Sequence, residues 1–292
     1  MQNLLFAILC SVLVSVLLKV ARKNKIIIEQ AIAVNYLVAM GLSYNLLKPT
    51  FDGIGINNFI IESNQTPIFI ALGLLMPTVF IIMSRAVELA GIVRSDAAQR
   101  LSLFLPIIAA FVIFGEQLNA GRLVGIILAF VALICLVYKP GSNGTKTGAL
   151  GILSLLLVWL GYGLADILFK QVAKMGGAFS NTLFIAFVLS ACFMFIYLLI
   201  KRTQWTIPSI LGGILLGGLN FMNIFFYIKA HQSFSTNPTL VFASMNVGVI
   251  CLGTLTGAFV FKEKISKINA TGIVLGIGAI LSLFYLPTLL AL

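Results

Sequence analysis

The fold of this chain follows from one stretch that occurs twice, first as Phe111-Val-Ile-Phe-Gly-Glu-Gln-Leu-Asn-Ala-Gly-Arg-Leu-Val-Gly125 and again as Ala258-Phe-Val-Phe-Lys-Glu-Lys-Ile-Ser-Lys-Ile-Asn-Ala-Thr-Gly272. In both copies an apolar run ends in Phe, and a Glu follows after one further residue. A Gly nine positions after that Glu opens another apolar run. The copies lie 147 positions apart, which indicates an internal duplication of two helical hairpins.

The composition is that of a membrane protein. The 292 residues are 60% hydrophobic and 9% charged, with a mean hydropathy of +1.11, whereas about 25% of the residues of a soluble domain are charged. The formal charge of +11 does not indicate a nucleic-acid partner, because the basic residues stand at the ends of apolar runs. We therefore expect an all-α integral membrane protein whose surroundings are the lipid bilayer.

Ten apolar runs have the length that a helix needs to cross a bilayer, about 20 residues. The predicted spans are about 3–20, 27–47, 67–89, 93–114, 119–138, 148–170, 179–200, 208–230, 237–261 and 267–287. Between spans 2 and 3 the connector 48–66 is long, and Phe59-Ile-Ile in it is expected to form a short interfacial helix.

The only flexible linker, 140–146, falls at the midpoint of the chain. It separates a first five-helix repeat, 1–139, from a second, 147–292. An odd number of spans in each repeat places the second copy upside down relative to the first. Inverted repeats of this kind are a common build for secondary transporters, whose substrate site lies near the bilayer midplane where the repeats meet.

The distribution of lysine and arginine predicts an orientation. The connectors after spans 1, 3, 5, 7 and 9 carry 14 of these residues, and the opposite side carries 5. Because basic loops stay in the cytoplasm, this count places both termini outside.

Three features together resemble the drug/metabolite transporter superfamily, and specifically its ten-helix EamA-type members. They are the repeated hairpin, the lysines that close spans 1 and 6 (Lys19 and Lys170), and Pro106 within span 4. The resemblance covers the whole chain. It implies a carrier for small metabolites that is driven by a gradient or by exchange, with helices of both repeats around a central cavity. It also implies that both termini are cytoplasmic, in conflict with the charge count.

Polar side chains inside apolar spans are costly, and they usually face a cavity or a partner. In span 4, Asp96, Gln99 and Arg100 share one helical face, and Arg100 could meet an anionic or zwitterionic solute. The other candidates lie on stripes in spans 2, 6, 8 and 9. The predicted substrate-binding residues are Asn35, Tyr36, Gln99, Arg100, Trp159, Tyr162, Asp166, Asn220, Asn223 and Asn246.

Each of these groups also has a structural interpretation. Asp96 and Arg100 could form an ion pair at a membrane surface, and the asparagines could join neighbouring helices by hydrogen bonds. His231 lies at a predicted helix end and is expected to be solvated. Glu116 and Glu263 are expected to cap the N-termini of spans 5 and 10.

Glycines and prolines suggest packing and bending. The glycines of spans 5 and 10 allow close helix approach and could serve a homodimer. Pro77 and Pro106, deep in spans 3 and 4, are expected to bend those helices, and a bend beside the Asp96–Arg100 face would suit a gate.

The sequence therefore predicts a secondary active transporter in the cell membrane that is not an enzyme. It would export or exchange an amino acid or another small carboxylate-bearing metabolite by alternating access. No cofactor or metal site is expected, since the chain has no Walker A motif and no Cys/His spacing for a metal. The alternatives are an intramembrane enzyme, a channel and a non-transporting membrane scaffold.

Overall fold

A computed structural model describes residues 1–23, 26–53, 55–137, 148–262 and 265–289. This part of the chain is helical and contains no strand. Its α-helices are α1 (Gln2–Lys23), α2 (Ile28–Leu42), α3 (Ile56–Glu62), α4 (Thr66–Ala90), α5 (Ile92–Leu101), α6 (Phe104–Val112), α7 (Ala120–Val137), α8 (Ala149–Lys174), α9 (Phe179–Lys201), α10 (Ile207–Ser233), α11 (Pro238–Phe261) and α12 (Lys267–Leu289).

Eight helical segments within the described ranges are long and apolar enough to cross a membrane, and the chain is an integral multi-pass membrane protein. Seven are the helices α4 and α7 to α12, and the eighth, Arg94–Val112, combines α5 with α6. The first two predicted spans are also helical. Gln2–Leu18 forms a shorter apolar helix, and α2 continues into the π-helical turn Ser43–Leu47. Helices thus occupy all ten predicted ranges, and eight of them meet the length and hydropathy of a span.

Two smaller expectations can be compared with the structure. The predicted short helix around Phe59 is α3, although the Phe59 ring is buried. Pro77 lies inside α4, which continues without a break. The predicted linker 140–146 and Glu263 lie outside the described residues.

The chain divides into two compact units. Unit 1 comprises Met1–Leu9, Ile82–Ile167 and Ser233–Leu292, and unit 2 comprises Cys10–Ile81 and Leu168–Gln232. Each unit takes segments from both predicted repeats, so the compact units are not the sequential halves of the chain.

The central contact of unit 1 is the packing of α7 along α12. A Cβ on Gly125 would lie 2.6 Å from the Leu283 side chain, and a Cβ on Gly272 would lie 2.8 Å from that of Leu136. The order of these contacts shows that the two helices run antiparallel. Glycine at both crossings lets the two backbones approach closely.

In unit 2, α2 packs along both α9 and α10. Gly213 and Gly217 of α10 face α2 so closely that a Cβ on either would lie 2.8 Å from a backbone carbonyl, that of Ala31 or Asn35 respectively. The two helices run parallel, because the contact residue moves toward the C-terminus on both. The pair α2 and α9 runs antiparallel, because Glu29 binds Lys201 (2.8 Å) at one end while Tyr44 lies on Phe184 near the other.

Candidate functional site

The span Arg94–Val112 is broken between α5 and α6, and Pro106 explains the break. Proline has no backbone N–H, so it cannot donate to the carbonyl of Ser102 four residues earlier. The Leu105 N–H donates to that carbonyl instead (3.0 Å), one residue short of the helical pattern. The Leu103 N–H makes a similar short step to the Arg100 carbonyl (3.3 Å). The helix is thus interrupted one turn before Pro106, in the segment where the sequence predicts a bend.

Two side chains bind the carbonyls that this shift releases. The Ser102 hydroxyl donates to the Gln99 carbonyl at 2.6 Å. The indole N–H of Trp159, on α8, donates to the Leu101 carbonyl at 3.1 Å. Because an unpaired backbone group inside a membrane protein is costly, these two bonds stabilise the broken segment.

Arg100 lies at the end of α5, directly before the break. Its Nε is 3.6 Å from Oδ1 of Asp96, and the two side chains are 14% and 46% exposed. This confirms the ion pair that their spacing predicts. The Nε atom is buried and makes no hydrogen bond to another described residue. Its partner is the Asp96 carboxylate, which faces it at ion-pair distance.

Tyr162 completes this cluster in unit 1. It is half-buried on α8, and both Arg100 and Asp96 act electrostatically on its hydroxyl. Trp159 lies one turn earlier on α8. The structure thus brings together Arg100, Trp159 and Tyr162 of the predicted site, with Asp96 beside them.

The other predicted residues of unit 1 take different positions. Gln99 is half-buried on α5, and Asp166 is half-buried on α8. Asn246 is buried in α11, where its side-chain amide donates to the Phe242 carbonyl of the same helix at 3.2 Å. That bond favours the structural interpretation of Asn246.

The four predicted residues of unit 2 centre on a hydrogen bond between α2 and α10. The Asn220 amide donates to Oδ1 of Asn35 at 3.1 Å, and the Asn35 amide donates to the Ile32 carbonyl at 3.5 Å. Tyr36, the residue after Asn35, is fully buried. Asn223 is half-buried and lies one turn after Asn220 on α10. The Asn35–Asn220 contact is the helix-to-helix bond that the sequence left as an alternative.

The expectation that His231 is solvated is wrong. The residue has no exposed surface, and its ring lies 4.8 Å from that of Tyr227. Its carbonyl accepts a hydrogen bond from Nζ of Lys170 (3.5 Å), and Lys170 is only 2% exposed. The Gln232 amide in turn donates to the Ala173 carbonyl in the last turn of α8 (3.4 Å). The C-terminal ends of α8 and α10 therefore bind each other's last carbonyls, a role for which a lysine is suited.

Glu116 has the structural role expected of it, but on a different helix. Its side chain is 1% exposed, and Oε2 accepts a hydrogen bond from the Thr239 N–H at 2.9 Å. That N–H belongs to the first turn of α11, not to α7. Arg122 lies 3.3 Å from Oε1 of Glu116 and also donates to the Asn237 side chain. The α6–α7 turn is thereby fastened to the start of α11.

No group of three or more potential metal ligands occurs among the residues that the structure describes.

Comparisons with known proteins identify relatives without a described activity. No protein-family model matches the sequence. An uncharacterized protein of Haemophilus influenzae (strain ATCC 51907 / DSM 11121 / KW20 / Rd) is 64% identical over 291 residues, with 100% of each chain covered. A solved structure described only as "Crystal structure of protein" matches with a TM-score of 0.72 at 15% identity, covering 99% of this chain and 97% of that one. At that identity the likeness is one of fold alone.

Proposed function

The chain belongs to the same family as the uncharacterized protein of Haemophilus influenzae, and we propose that it is a secondary active transporter of the EamA type in the cell membrane. Its solute is a small polar metabolite with a carboxylate, such as an amino acid, which it exports or exchanges by alternating access. The proposed architecture is ten membrane helices in two inverted five-helix repeats.

Helix packing within unit 1 supports the inverted repeats. Gly272 lies 147 positions after Gly125, and Leu283 lies 147 positions after Leu136. Shifting the contact between Gly125 and Leu283 by the repeat length therefore yields the contact between Gly272 and Leu136. Two helices whose contacts exchange in this way are related by a local two-fold axis, as inverted copies of one helix are.

The directions of the packed helices give independent support. If every predicted span crosses the bilayer, two even-numbered or two odd-numbered spans run parallel, and mixed pairs run antiparallel. The contacts of α2 with α10, spans 2 and 8, are parallel, and those of α7 with α12, spans 5 and 10, are antiparallel. In unit 2, α4 and α9, spans 3 and 7, are also parallel, since Gln65 meets Thr182 and Gly73 meets Leu189. All three pairs agree with ten crossings.

The observation that carries the transport proposal is the position of Arg100 at the break between α5 and α6. An arginine within a span costs about 2.5–3.5 kcal/mol on insertion scales, so it marks a functional site by default. Interrupted helices form the solute sites of many secondary transporters, because their free backbone ends and side chains can bind polar groups. Arg100 combines both features.

The chemistry of the cluster favours a solute with a carboxylate. A guanidinium binds carboxylates through paired N–H donors, and the partly exposed Asp96 could accept an ammonium group beside it. Gln99, Tyr162 and Asp166 supply further polar groups of unit 1. In unit 2, Asn35, Tyr36, Asn220 and Asn223 form a second set of candidate solute ligands.

The test is counterflow in proteoliposomes. Vesicles are loaded with a mixture of unlabelled L-amino acids and C4 dicarboxylates, and the uptake of each labelled compound is measured separately. We expect saturable uptake of at least one compound, and at least a tenfold loss of it in Arg100→Gln. The control Arg85→Gln removes an arginine that is 70% exposed and should transport normally. Uptake without saturation would indicate a channel, and the absence of uptake of any compound would contradict the proposal.

A further inference from the structure

Trp159 stands in the predicted site, yet its only polar atom is already engaged. The indole N–H donates to the Leu101 carbonyl at 3.1 Å. Leu101 is the last residue of α5 and directly follows Arg100 in the chain. We propose that Trp159 is a positioning residue, which fixes the end of α5 through the Leu101 carbonyl and so sets the place of the Arg100 guanidinium.

The need for this bond arises from Pro106. In a continuous helix the Leu101 carbonyl would accept the Leu105 N–H. Since Pro106 has no N–H to donate to the Ser102 carbonyl, the Leu105 N–H donates to that carbonyl instead. The Leu101 carbonyl then takes its donor from α8. The proline and the tryptophan are thus two parts of one arrangement, although they are far apart in the sequence.

The packing of α8 explains how the indole reaches a backbone carbonyl. Gly163 lies one turn after Trp159, and a Cβ at this position would be 2.8 Å from the Cβ of Leu105. The absence of a side chain lets α8 approach α6 closely on the far side of the break. Trp159 and Gly163 therefore contact the broken span at positions 101 and 105, on either side of the interruption.

This inference rests on the proposed function in one respect only, namely that Arg100 binds the solute. The geometry can be tested without any solute, by hydrogen–deuterium exchange of the protein in lipid nanodiscs. Trp159→Phe keeps an aromatic ring and removes the N–H. We expect amides of residues 92–103 to exchange about fivefold faster, the factor that the loss of one ordinary hydrogen bond produces. Peptides of α11 should exchange as in the wild type.

A second substitution makes the test specific. Pro106→Ala restores a backbone N–H, which can donate to the Ser102 carbonyl and release the Leu105 N–H for Leu101. In this background Trp159→Phe should change exchange of residues 92–103 by less than about twofold, because the carbonyl has another donor. Trp205→Phe is the matched control. Trp205 stacks on Phe195 in unit 2, and its loss should leave residues 92–103 unchanged.

The outcomes separate the two proposals. No effect of Trp159→Phe on residues 92–103, or an equal effect with and without Pro106, would overturn the positioning role. A general rise in exchange through unit 1 would also overturn it, since that would show a merely structural tryptophan. In the counterflow assay with labelled L-amino acids, Trp159→Phe should raise the half-saturating concentration, and the Pro106→Ala background should suppress that change. If the exchange results hold and even the wild type transports nothing, the positioning role stands and the proposed function fails.

Should Trp159→Phe not fold, a single-tryptophan protein gives the same answer. In Trp205→Phe labelled with ¹⁵N-tryptophan, Trp159 supplies the one indole N–H signal. We expect slow exchange of that proton with solvent, and faster exchange once Pro106→Ala is added. Fast exchange in the parent protein would contradict the bond to Leu101.

Discussion

Gly125 of α7 packs against Leu283 of α12, at a distance that leaves no room for a Cβ. Gly272 makes the same kind of contact with Leu136, and each residue of this contact lies 147 positions from its counterpart in the first one, on the other helix. Any side chain at these glycines must therefore push apart an antiparallel helix pair at the centre of unit 1.

The first prediction concerns this helix pair. Gly272→Ala should lower the free energy of unfolding by about 1–3 kcal/mol, the usual cost of overpacking, because its Cβ would also lie 2.9 Å from the Cβ of Cys135. Gly278→Ala is the control on the same helix, where a Cβ would meet nothing within 4 Å. It should be neutral or stabilise by up to about 1 kcal/mol. Unfolding in mixed detergent micelles measures both, and equal values would contradict the packing.

The second prediction concerns the ion pair that fastens α11. Glu116→Gln should destabilise the protein by about 3–5 kcal/mol, because it leaves the charge of Arg122 without its buried partner. Glu88→Gln breaks the exposed pair with Arg85 and should cost less than about 0.5 kcal/mol. The double variant Glu116→Gln/Arg122→Gln should recover part of the loss. If Glu116→Gln and Glu88→Gln lower the free energy of unfolding by the same amount, the buried pair has no part in holding the α6–α7 turn to α11.

The third prediction concerns the hydrogen bond between Asn35 and Asn220. A double-mutant cycle with alanine at both positions should give a coupling energy of about 0.6 kcal/mol, typical of a polar contact between membrane helices. Asn35→Ala combined with Asn45→Ala should be additive, since the Asn45 amide binds the Gly41 carbonyl of its own segment. A coupling as large for Asn45 as for Asn220 would refute the pairing.

Helix positions could be predicted from the sequence because hydropathy alone decides which segments enter a bilayer. All ten predicted ranges contain a helix, and the bounds agree to within a few residues for most of them. A disturbance of the helix in span 4 could also be predicted, because proline removes a known backbone hydrogen bond. The role of Trp159 as the replacement donor could not be predicted, since the sequence does not say which side chain of another helix will face a given carbonyl.

The remaining differences have the same origin in tertiary contacts. A carboxylate in a turn is expected to cap a helix, but the sequence does not show that α11 is the helix nearest to Glu116. His231 stands near a helix end, where solvent is the default neighbour, yet Tyr227 and the end of α8 cover it. Similarly, the sequence predicts a duplication, whereas the way each compact unit combines segments of both predicted repeats depends on helix pairing.

The inverted repeat is tested most directly by labelling two equivalent turn residues from the two sides of the membrane. Leu118 and Ile265 lie 147 positions apart, and both are exposed, at 57% and 37%. Each is replaced by cysteine in a variant without Cys10, Cys135, Cys192 and Cys251, and intact and permeabilised cells are treated with a membrane-impermeant maleimide. We predict that one position reacts in intact cells and the other only after permeabilisation. Reaction of both positions from the same side would contradict two repeats of opposite orientation.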